Sequence, residues 1–359
     1  MQKSLPYWQF RGGSSKGIYF DAKDLPTDAT ERDKFILSVM EGVGIGDARQ
    51  IDGLGGANSL TSKVAIVSKS KSPDADLDYF FIQVMIGKGK VSTTQTCGNI
   101  LAGVLPFAIE SGMIKAKSQT TRARINIVNT GGICEVVVQT PNEKVQYSGD
   151  AKIDGVLGTA APIICNYLDT EGATCGALFP TGNKIDVFEG IGMTCIDNGM
   201  PLIIMRASDF GLIGNETKTE LDDNEVLKKY IEHIRINMGH KMNLCDVTTQ
   251  SIPKMCFISA PQNGGIINTR MFIPHVCHEA IGVLAAVSVA TACVLPNTIA
   301  QNLVILNEKV SNFSIEHPTG ELTVNFEFQK APNDEAKILK SGVMRTARLI
   351  SKGEVFLPV

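Results

Sequence analysis

Lys63 is a lysine at the start of an apolar segment, which is an unusual position for a charged side chain. It precedes VAIV at residues 64–67 and follows the glycine-rich segment DGLGGANSLTS at residues 52–62. An unpaired ammonium group is costly to bury, so burial lowers the pKa of a lysine and favours the neutral amine. A neutral lysine acts as a general base. The alternative is a structural lysine whose ammonium group reaches solvent at the strand end.

Cys97 stands where a polar segment meets a long apolar one. The segment TTQTCGNILAGVLPFAIESGM, residues 93–113, begins polar and continues as a helix-like apolar run, with Gly98 and Asn99 directly after the cysteine. Unpaired N–H groups at the start of a helix favour a thiolate and bind anions. The alternative is a small buried cysteine beside a helix start, since free cysteines are among the most buried residues.

The segment RGGSSKG near the N-terminus has the composition of a turn between two strands. Gly12 and Gly13 allow positive φ, while Ser14 and Ser15 offer hydroxyl groups. Together with Arg11 they would bind an anion. The segment is not a Walker A motif and no helix pattern follows it, so a polar hairpin turn is the alternative to an anion site.

The second half of the chain repeats the order of these features. SIPKMCFISAP echoes TSKVAIVSKSP, so that Lys254 corresponds to Lys63. RMFIPHVCHEAIGVLAAVSVATACVL echoes the segment around Cys97, so that Cys277 corresponds to that cysteine. A helix that is apolar on all sides is buried, and a sheet wrapped around it would bury it. The repeat therefore predicts an α+β fold with two pseudo-symmetric domains, each a mostly antiparallel sheet around one central helix.

We expect these domains to cover residues 1–185 and 186–359. If they face each other about a pseudo-twofold axis, the two cysteine-bearing helix starts border one interdomain cleft, which is a favoured place for a ligand. His275 and His278 flank Cys277 and are expected in the same cleft.

Bulk composition excludes several classes of protein. The 359 residues carry a formal net charge of −3, which indicates neither nucleic acid nor an anionic membrane surface as a partner. Nine scattered cysteines without a C-x-x-C pair argue against a disulfide framework and for a reducing compartment. Without a signal-peptide pattern or an apolar run long enough to span a bilayer, we expect a cytoplasmic protein. Its uncharged strand surfaces would allow a homodimer.

The candidate residues suit acid–base chemistry on a small polycarboxylate. No sequence cluster has the spacing of a metal site, and no dinucleotide or phosphate-loop motif is present, so neither metal nor cofactor is expected. One mechanism is an allylic double-bond isomerisation with Lys63 as the base. A second is an epimerisation in which Cys97 and Cys277 face opposite sides of a stereocentre. A third reading is a polycarboxylate-binding protein without catalysis.

Five ordered motifs resemble the PrpF family: RGGSSKG, DGLGGANSLTSK, TCGN, CIDNGMP and IPHVCH. That family has the diaminopimelate-epimerase-like fold and includes 2-methylaconitate cis-trans isomerase, methylitaconate Δ-isomerase and 4-oxalomesaconate tautomerase. The resemblance implies a cofactor-free double-bond isomerase whose catalytic pair is Lys63 and Cys97. DNGMP and CGALFPTGN are most similar to the 4-oxalomesaconate tautomerase type. Ser14 replaces an expected threonine, and Cys277 is a thiol that the family pattern does not lead us to expect.

The predicted substrate-binding residues combine those from the motifs and those from the repeat. They are Arg11, Gly12, Gly13, Ser14, Ser15, Ser62, Gly98, Asn99, His275, Cys277 and His278.

Overall fold

A computed structural model describes residues 3–305, 312–330 and 336–358 of the chain. The chain divides into two compact units. Unit 1 comprises Met1–Leu168 and Met344–Val359, and unit 2 comprises Asp169–Val343. The last segment of the chain therefore belongs to the same unit as the first.

Unit 1 is built from a mixed sheet and three helices. Its strands are β1 (Ser4–Gly12), β2 (Ser15–Asp21), β3 (Lys63–Lys69), β4 (Leu77–Met85), β5 (Lys90–Ser92), β6 (Gln119–Ile127), β7 (Gly132–Thr140), β8 (Ile163–Leu168) and β17 (Ala347–Phe356). Its helices are α1 (Ala29–Glu41), α2 (Gly98–Leu101) and α3 (Val104–Glu110).

Most strand pairs of unit 1 are antiparallel. The C-terminal strand β17 pairs with β1, and β1 pairs with β2, both antiparallel. Strand β2 then runs parallel to β3, β3 antiparallel to β4, and β4 parallel to β6. The hairpins β4–β5, β6–β7 and β7–β8 complete the sheet.

The alternation of side chains along β2 packs both faces of this sheet. Ile18 and Phe20 join the cluster that covers the apolar side of α1. Tyr19, between them, points to the other face, where its ring contacts Phe107 of α3. Successive strand residues point to opposite faces, so one strand buries apolar side chains against two different helices.

The central helix of unit 1 is interrupted, which corrects the continuous helix expected from residues 93–113. Helix α2 ends at Leu101 and α3 begins at Val104. Gly103 lies at the break, and a Cβ atom there would be 2.3 Å from the hydroxyl oxygen of Tyr19. Pro106 in the first turn of α3 has no N–H to donate to the carbonyl of Ala102, so the sequence carried a local signal of the break that the prediction of one helix did not use.

The described residues of unit 2 form eight strands and three α-helices. Its strands are β9 (Asp186–Phe188), β10 (Ile191–Asp197), β11 (Pro201–Arg206), β12 (Lys254–Ser259), β13 (Ile267–Phe272), β14 (Asn312–His317), β15 (Gly320–Lys330) and β16 (Ala336–Arg345), the last of which ends within unit 1. Its helices are α4 (Lys218–Asp223), α5 (Glu225–Lys241) and α6 (Val283–Val294).

The strand pairings of unit 2 repeat those of unit 1 in the same order. Strands β10 and β11 are antiparallel, β11 and β12 parallel, β12 and β13 antiparallel, and β13 and β14 parallel. Lys254 is the first residue of β12, as Lys63 is the first residue of β3. The correspondence of these two lysines in the predicted repeat is therefore present in the topology.

Helix α6 is the central helix of unit 2, and it is buried along most of its length. It begins at Val283, six residues after Cys277. Cys277 instead forms an isolated β-bridge with Phe272. The expectation of a second cysteine at a helix start is wrong, because residues 278–282, which lie in no helix or strand, separate this thiol from the helix.

Candidate active site

Lys63 is held at the start of β3, beside Gly17 of β2 and opposite Gln83 of β4. Only 8% of its surface is exposed. Its Nζ donates a hydrogen bond of 2.5 Å to Oε1 of Gln83 and lies 5.3 Å from the ring centroid of Phe81. No carboxylate of the described residues forms an ion pair with Lys63. The side chain is thus fixed by an uncharged amide and an aromatic face.

The side-chain amide of Gln83 is itself held in a fixed orientation. Its Nε2 donates to the backbone carbonyl oxygens of Ser59 at 3.2 Å, Ser62 at 3.0 Å and Val84 at 3.1 Å. These contacts occupy the amide hydrogens and leave Oε1 facing Lys63. The sequence interpretation missed Gln83, although a single glutamine in the apolar strand YFFIQVMI was an available signal.

The glycine turn between β1 and β2 packs directly on Asn99. A Cβ atom at Gly12 would be 2.4 Å from the backbone oxygen of Asn99, and one at Gly13 would be 2.1 Å from its Oδ1. The Nδ2 of Asn99 donates to Oγ of Ser14 at 3.1 Å and of Ser15 at 3.4 Å. Two motifs that are far apart in the sequence, RGGSSKG and TCGN, therefore form one contiguous surface.

Cys97 is the N-cap of α2 and is partly exposed. Its carbonyl oxygen accepts a hydrogen bond of 3.1 Å from the hydroxyl of Tyr79, and the next turn is held by Tyr19, which donates to the carbonyl of Ile100 at 2.5 Å. Burial raises the pKa of both phenols well above the usual value, so they remain donors. The N–H groups of Gly98 and Asn99 lie in the first turn, which has no intrahelical acceptor for them.

Arg11 braces the glycine turn from the side of β17. Its Nη1 donates to the backbone oxygen of Gly13 at 2.8 Å and to both oxygens of Thr346, at 3.1 and 2.9 Å. Burial and the neighbouring Arg348 lower the pKa of Arg11 from its usual value. A cavity of about 560 Å³ includes Arg11 and Arg348 in its wall. Neither Lys63 nor Cys97 lines it, so this cavity is not the candidate site.

Ser62 is fully buried and serves the glycine-rich loop before β3. Its hydroxyl donates to Oε1 of Gln50 at 2.6 Å and accepts from the N–H of Gly56 at 3.3 Å. The same Gln50 oxygen accepts from the N–H of Ala57 at 2.9 Å. The single hydroxyl hydrogen of Ser62 is therefore used within the loop, and its side chain shapes the approach to Lys63 rather than offering a free donor.

Cys277 has the surroundings of a structural thiol. Only 1% of its surface is exposed, and its N–H donates to Oδ1 of Asp222 at 2.7 Å. Burial, together with Asp222, raises its pKa to about 11. A thiol in such surroundings stays protonated at neutral pH, in contrast to the activated thiol expected at a helix start.

The two predicted histidines of unit 2 differ in exposure. The side chain of His275 is 60% exposed, with Nδ1 3.7 Å from a carboxylate oxygen of Glu232. His278 is partly buried, and its Nδ1 accepts from the N–H of Ala280 at 2.8 Å. Burial lowers the pKa of His278, and the ammonium group of Lys254 lowers it further. His278 is therefore a neutral imidazole that carries its hydrogen on Nε2.

Lys254 repeats the position of Lys63 but not its partner. It too is 8% exposed, and its side chain forms no hydrogen bond or ion pair within the described residues. Burial and the nearby Arg235 lower its pKa to about 8. Within the described part of the chain, no three His, Cys, Asp or Glu side chains come close enough to hold a metal ion. None of the described helices is long and apolar enough to cross a membrane.

The family model described as "PrpF protein" matches residues 2–358. The chain belongs to the PrpF family. It is similar to a protein named (4E)-oxalomesaconate Delta-isomerase from Novosphingobium sp. (strain KA1), with 49% identity over 99% of this chain and 98% of that protein. It is also similar to 4-oxalomesaconate tautomerase of Pseudomonas putida, with 48% identity over 99% of this chain and 96% of that one.

Solved structures show where this PrpF chain stands among known folds. The crystal structure of a methylitaconate-delta-isomerase matches with a TM-score of 0.89 and 34% identity, covering 99% of this chain and 96% of that one. A hydroxyproline epimerase from Agrobacterium vitis matches with a TM-score of 0.53 and 11% identity, covering 100% of this chain and 95% of that one. At this identity the match shows a similar fold and nothing more. The predicted family, the α+β epimerase-like fold and the isomerase class are confirmed.

Proposed function

We propose that this PrpF protein is a cofactor-independent isomerase that moves a C=C bond in a small unsaturated tricarboxylate of the 4-oxalomesaconate type. The relatives named for oxalomesaconate share 49% and 48% identity with the chain over nearly its whole length. The relative named 3-methylitaconate isomerase shares 35%. This difference supports a substrate of the oxalomesaconate type over a methyl-substituted one.

The reaction is a 1,3-proton shift that begins at Lys63. The amine takes a proton from the allylic carbon, and the C–H electron pair becomes part of a dienolate spread over the neighbouring double bond and carbonyl. A proton then returns to the carbon at the other end of the allylic system, from Lys63 or from the thiol of Cys97. No atom is gained or lost, since one proton leaves and one returns.

The surface formed by the glycine turn and the start of α2 suits the negative charge of the dienolate. Ser14 and Ser15 accept hydrogen bonds from Asn99, which leaves each hydroxyl its own hydrogen to donate. The N–H groups of Gly98 and Asn99 are donors in the same first turn of α2. Donors fixed before the reaction stabilise a developing charge without reorganising.

The observation that carries the proposal is the fixed and buried Lys63 with an uncharged hydrogen-bond partner. A lysine ion-paired to a carboxylate would be held as the ammonium form, whereas Gln83 imposes no such charge. The arrangement is therefore that of a fixed amine without a counter-ion among the described residues, which is the placement that a general base needs.

Replacement of Lys63 by methionine tests the proposal. We expect kcat for 4-oxalomesaconate to fall roughly 10³-fold, within the range for loss of a general base. Lys69→Met is the matched control, because it removes a lysine from the exposed end of the same strand. Thermal shifts with tricarballylate, a saturated tricarboxylate, would show that the Lys63 variant still binds. Turnover within a few-fold of the unmodified protein would contradict the assignment.

The two-thiol epimerase reaction has weaker support. It needs two thiols that both exchange protons with a substrate carbon. Cys277 is buried, with its pKa raised to about 11, whereas Cys97 is partly exposed at the start of a helix. In the allylic isomerisation Lys63 removes the proton, so at most one thiol takes part.

A further inference from the structure

Arg345, the last residue of β16, is a buried cation that was not among the residues singled out in the sequence. Only 7% of its surface is exposed. Its Nη1 donates to the backbone oxygen of Met344 at 3.0 Å. Its Nε is buried and has no hydrogen-bond partner among the described residues. The segment VMRTAR around it has no distinctive pattern that would single it out.

The guanidinium group has no counter-ion in the part of the chain that the structure describes. None of the ion pairs there includes Arg345. Arginine stays protonated in proteins, so it cannot escape burial by losing its charge. A buried charge without a partner is costly, and proteins ordinarily pair such groups. An arginine kept in this state indicates that its anion comes from a ligand.

The titratable groups that interact with Arg345 are one phenol and two thiols, and none of them is a carboxylate. They are Tyr167, Cys165 and Cys97. Burial raises the pKa of Tyr167 well above its usual value, so this phenol is neutral. Cys97 is the one of these that is partly exposed. Arg345 immediately precedes Thr346, whose carbonyl oxygen accepts hydrogen bonds from the N–H of Gly13 at 2.8 Å and from Nη1 of Arg11 at 3.1 Å. Arg345 therefore lies beside the glycine turn of the candidate site, within the same unit as Lys63.

We propose that Arg345 is a substrate-binding residue, which holds one carboxylate of the substrate next to Cys97. This inference rests on the proposed function, because it takes the ligand to be the polycarboxylate on which Lys63 acts. A guanidinium group matches a carboxylate in geometry and charge, and the donors of Arg345 are incompletely used. The hydroxyl groups of Ser14 and Ser15 are then available to the enolate end of the substrate. The two ends of the substrate therefore bind different hydrogen-bond donors.

Alkylation of Cys97 tests the electrostatic part without any substrate. A nearby cation favours a thiolate, which is the form that reacts with iodoacetamide. We expect Arg345→Met to slow alkylation of Cys97 at pH 7 about threefold, and Arg345→Lys to restore most of the rate. Peptide mass spectrometry would separate Cys97 from the exposed Cys245, which serves as the internal reference. An unchanged or faster rate at Cys97 would overturn the proposal.

Protection experiments test the carboxylate part. Tricarballylate should protect Cys97 of the unmodified protein from alkylation, and about tenfold more should be needed in Arg345→Met. A mono-amide of tricarballylate has one carboxylate fewer. The difference in protection between the unmodified protein and Arg345→Met should therefore be smaller with the mono-amide. Arg122→Met is the control, since Arg122 lies in the same unit with its side chain 57% exposed. Equal protection of Arg345→Met and the control would contradict the assignment.

Steady-state kinetics and stability separate substrate binding from a structural role. Arg345→Met should raise KM for 4-oxalomesaconate roughly 10- to 100-fold, more than it lowers kcat. Its Tm should be unchanged or higher, because an uncompensated buried charge is removed. A lower Tm with unchanged KM would make Arg345 structural and overturn the proposal. If the unmodified protein fails to turn over the acid, the proposed function fails, while the alkylation and protection results still decide the role of Arg345.

Discussion

The contact between Gly13 and Asn99 makes a precise prediction for Gly13→Ala. Gly13 has φ of +51°, and the new Cβ would lie 2.1 Å from Oδ1 of Asn99. The left-handed backbone costs an alanine about 1 kcal/mol. The Asn99 side chain must also move, which breaks its bonds to Ser14 and Ser15 at about 1 kcal/mol each. We therefore expect Gly13→Ala to lose about 3 kcal/mol of unfolding free energy.

Gly131→Ala separates the backbone cost from the contact. Gly131 lies in the turn between β6 and β7 with φ of +77°, and a Cβ atom at this position would have no described neighbour within 4 Å. The variant should lose about 1 kcal/mol and keep full activity. Gly13→Ala should also lose about 10² in kcat/KM, because the donors beside Asn99 are displaced. Equal stabilities in urea unfolding and equal kcat/KM for the two variants would refute this account of the site.

Three other perturbations follow from the site contacts. Ser62→Ala should lower unfolding free energy by about 2 kcal/mol in urea titrations, because two buried hydrogen bonds are lost; an unchanged midpoint would exclude Ser62 as the support of the glycine-rich loop. Cys277→Ser should keep turnover within a few-fold while Cys97→Ser loses at least tenfold, and equal losses would revive the two-thiol mechanism. Lys254 has a pKa of about 8 in the folded protein, compared with an ordinary value of 10.5. Between pH 8 and pH 10.5 the unfolded state therefore binds more protons than the folded state, and the stability of the unmodified protein rises with pH over this range. Lys254→Met should therefore be about 2 kcal/mol more stable at pH 7, with the difference vanishing above pH 10.5; a constant difference from pH 7 to 11 would contradict the lowered pKa.

The repeated organisation of the chain was readable from sequence because it depends on order. Lys63 and Lys254 each follow a turn-rich segment and precede an apolar run, and both begin a strand in the same pairing pattern. The break between α2 and α3 had local signals in Gly103 and Pro106, whereas the close approach of the Tyr19 hydroxyl to Gly103 is made by a distant strand. Local sequence reports periodicity and helix breakers, whereas such contacts depend on what packs against the helix.

The candidate site was readable only in part. The motifs around Gly13 and Asn99 were found separately, and their direct contact is a property of the fold. Two residues were missed, Gln83 and Arg345. Gln83 matters because its amide oxygen accepts a hydrogen bond from Lys63, and Arg345 matters because its Nε has no hydrogen-bond partner among the described residues. Whether a buried polar group is paired depends on long-range contacts, which a single sequence does not display.

Proton exchange in heavy water tests the role of Lys63 most directly. The unmodified protein should incorporate deuterium from solvent at one allylic position of 4-oxalomesaconate, observed by NMR, at a rate comparable to turnover. Lys63→Met should bind tricarballylate but exchange no deuterium above the uncatalysed rate, while Lys69→Met should exchange normally. Exchange by Lys63→Met at the rate of the unmodified protein would show that another group removes the proton, and would contradict the mechanism.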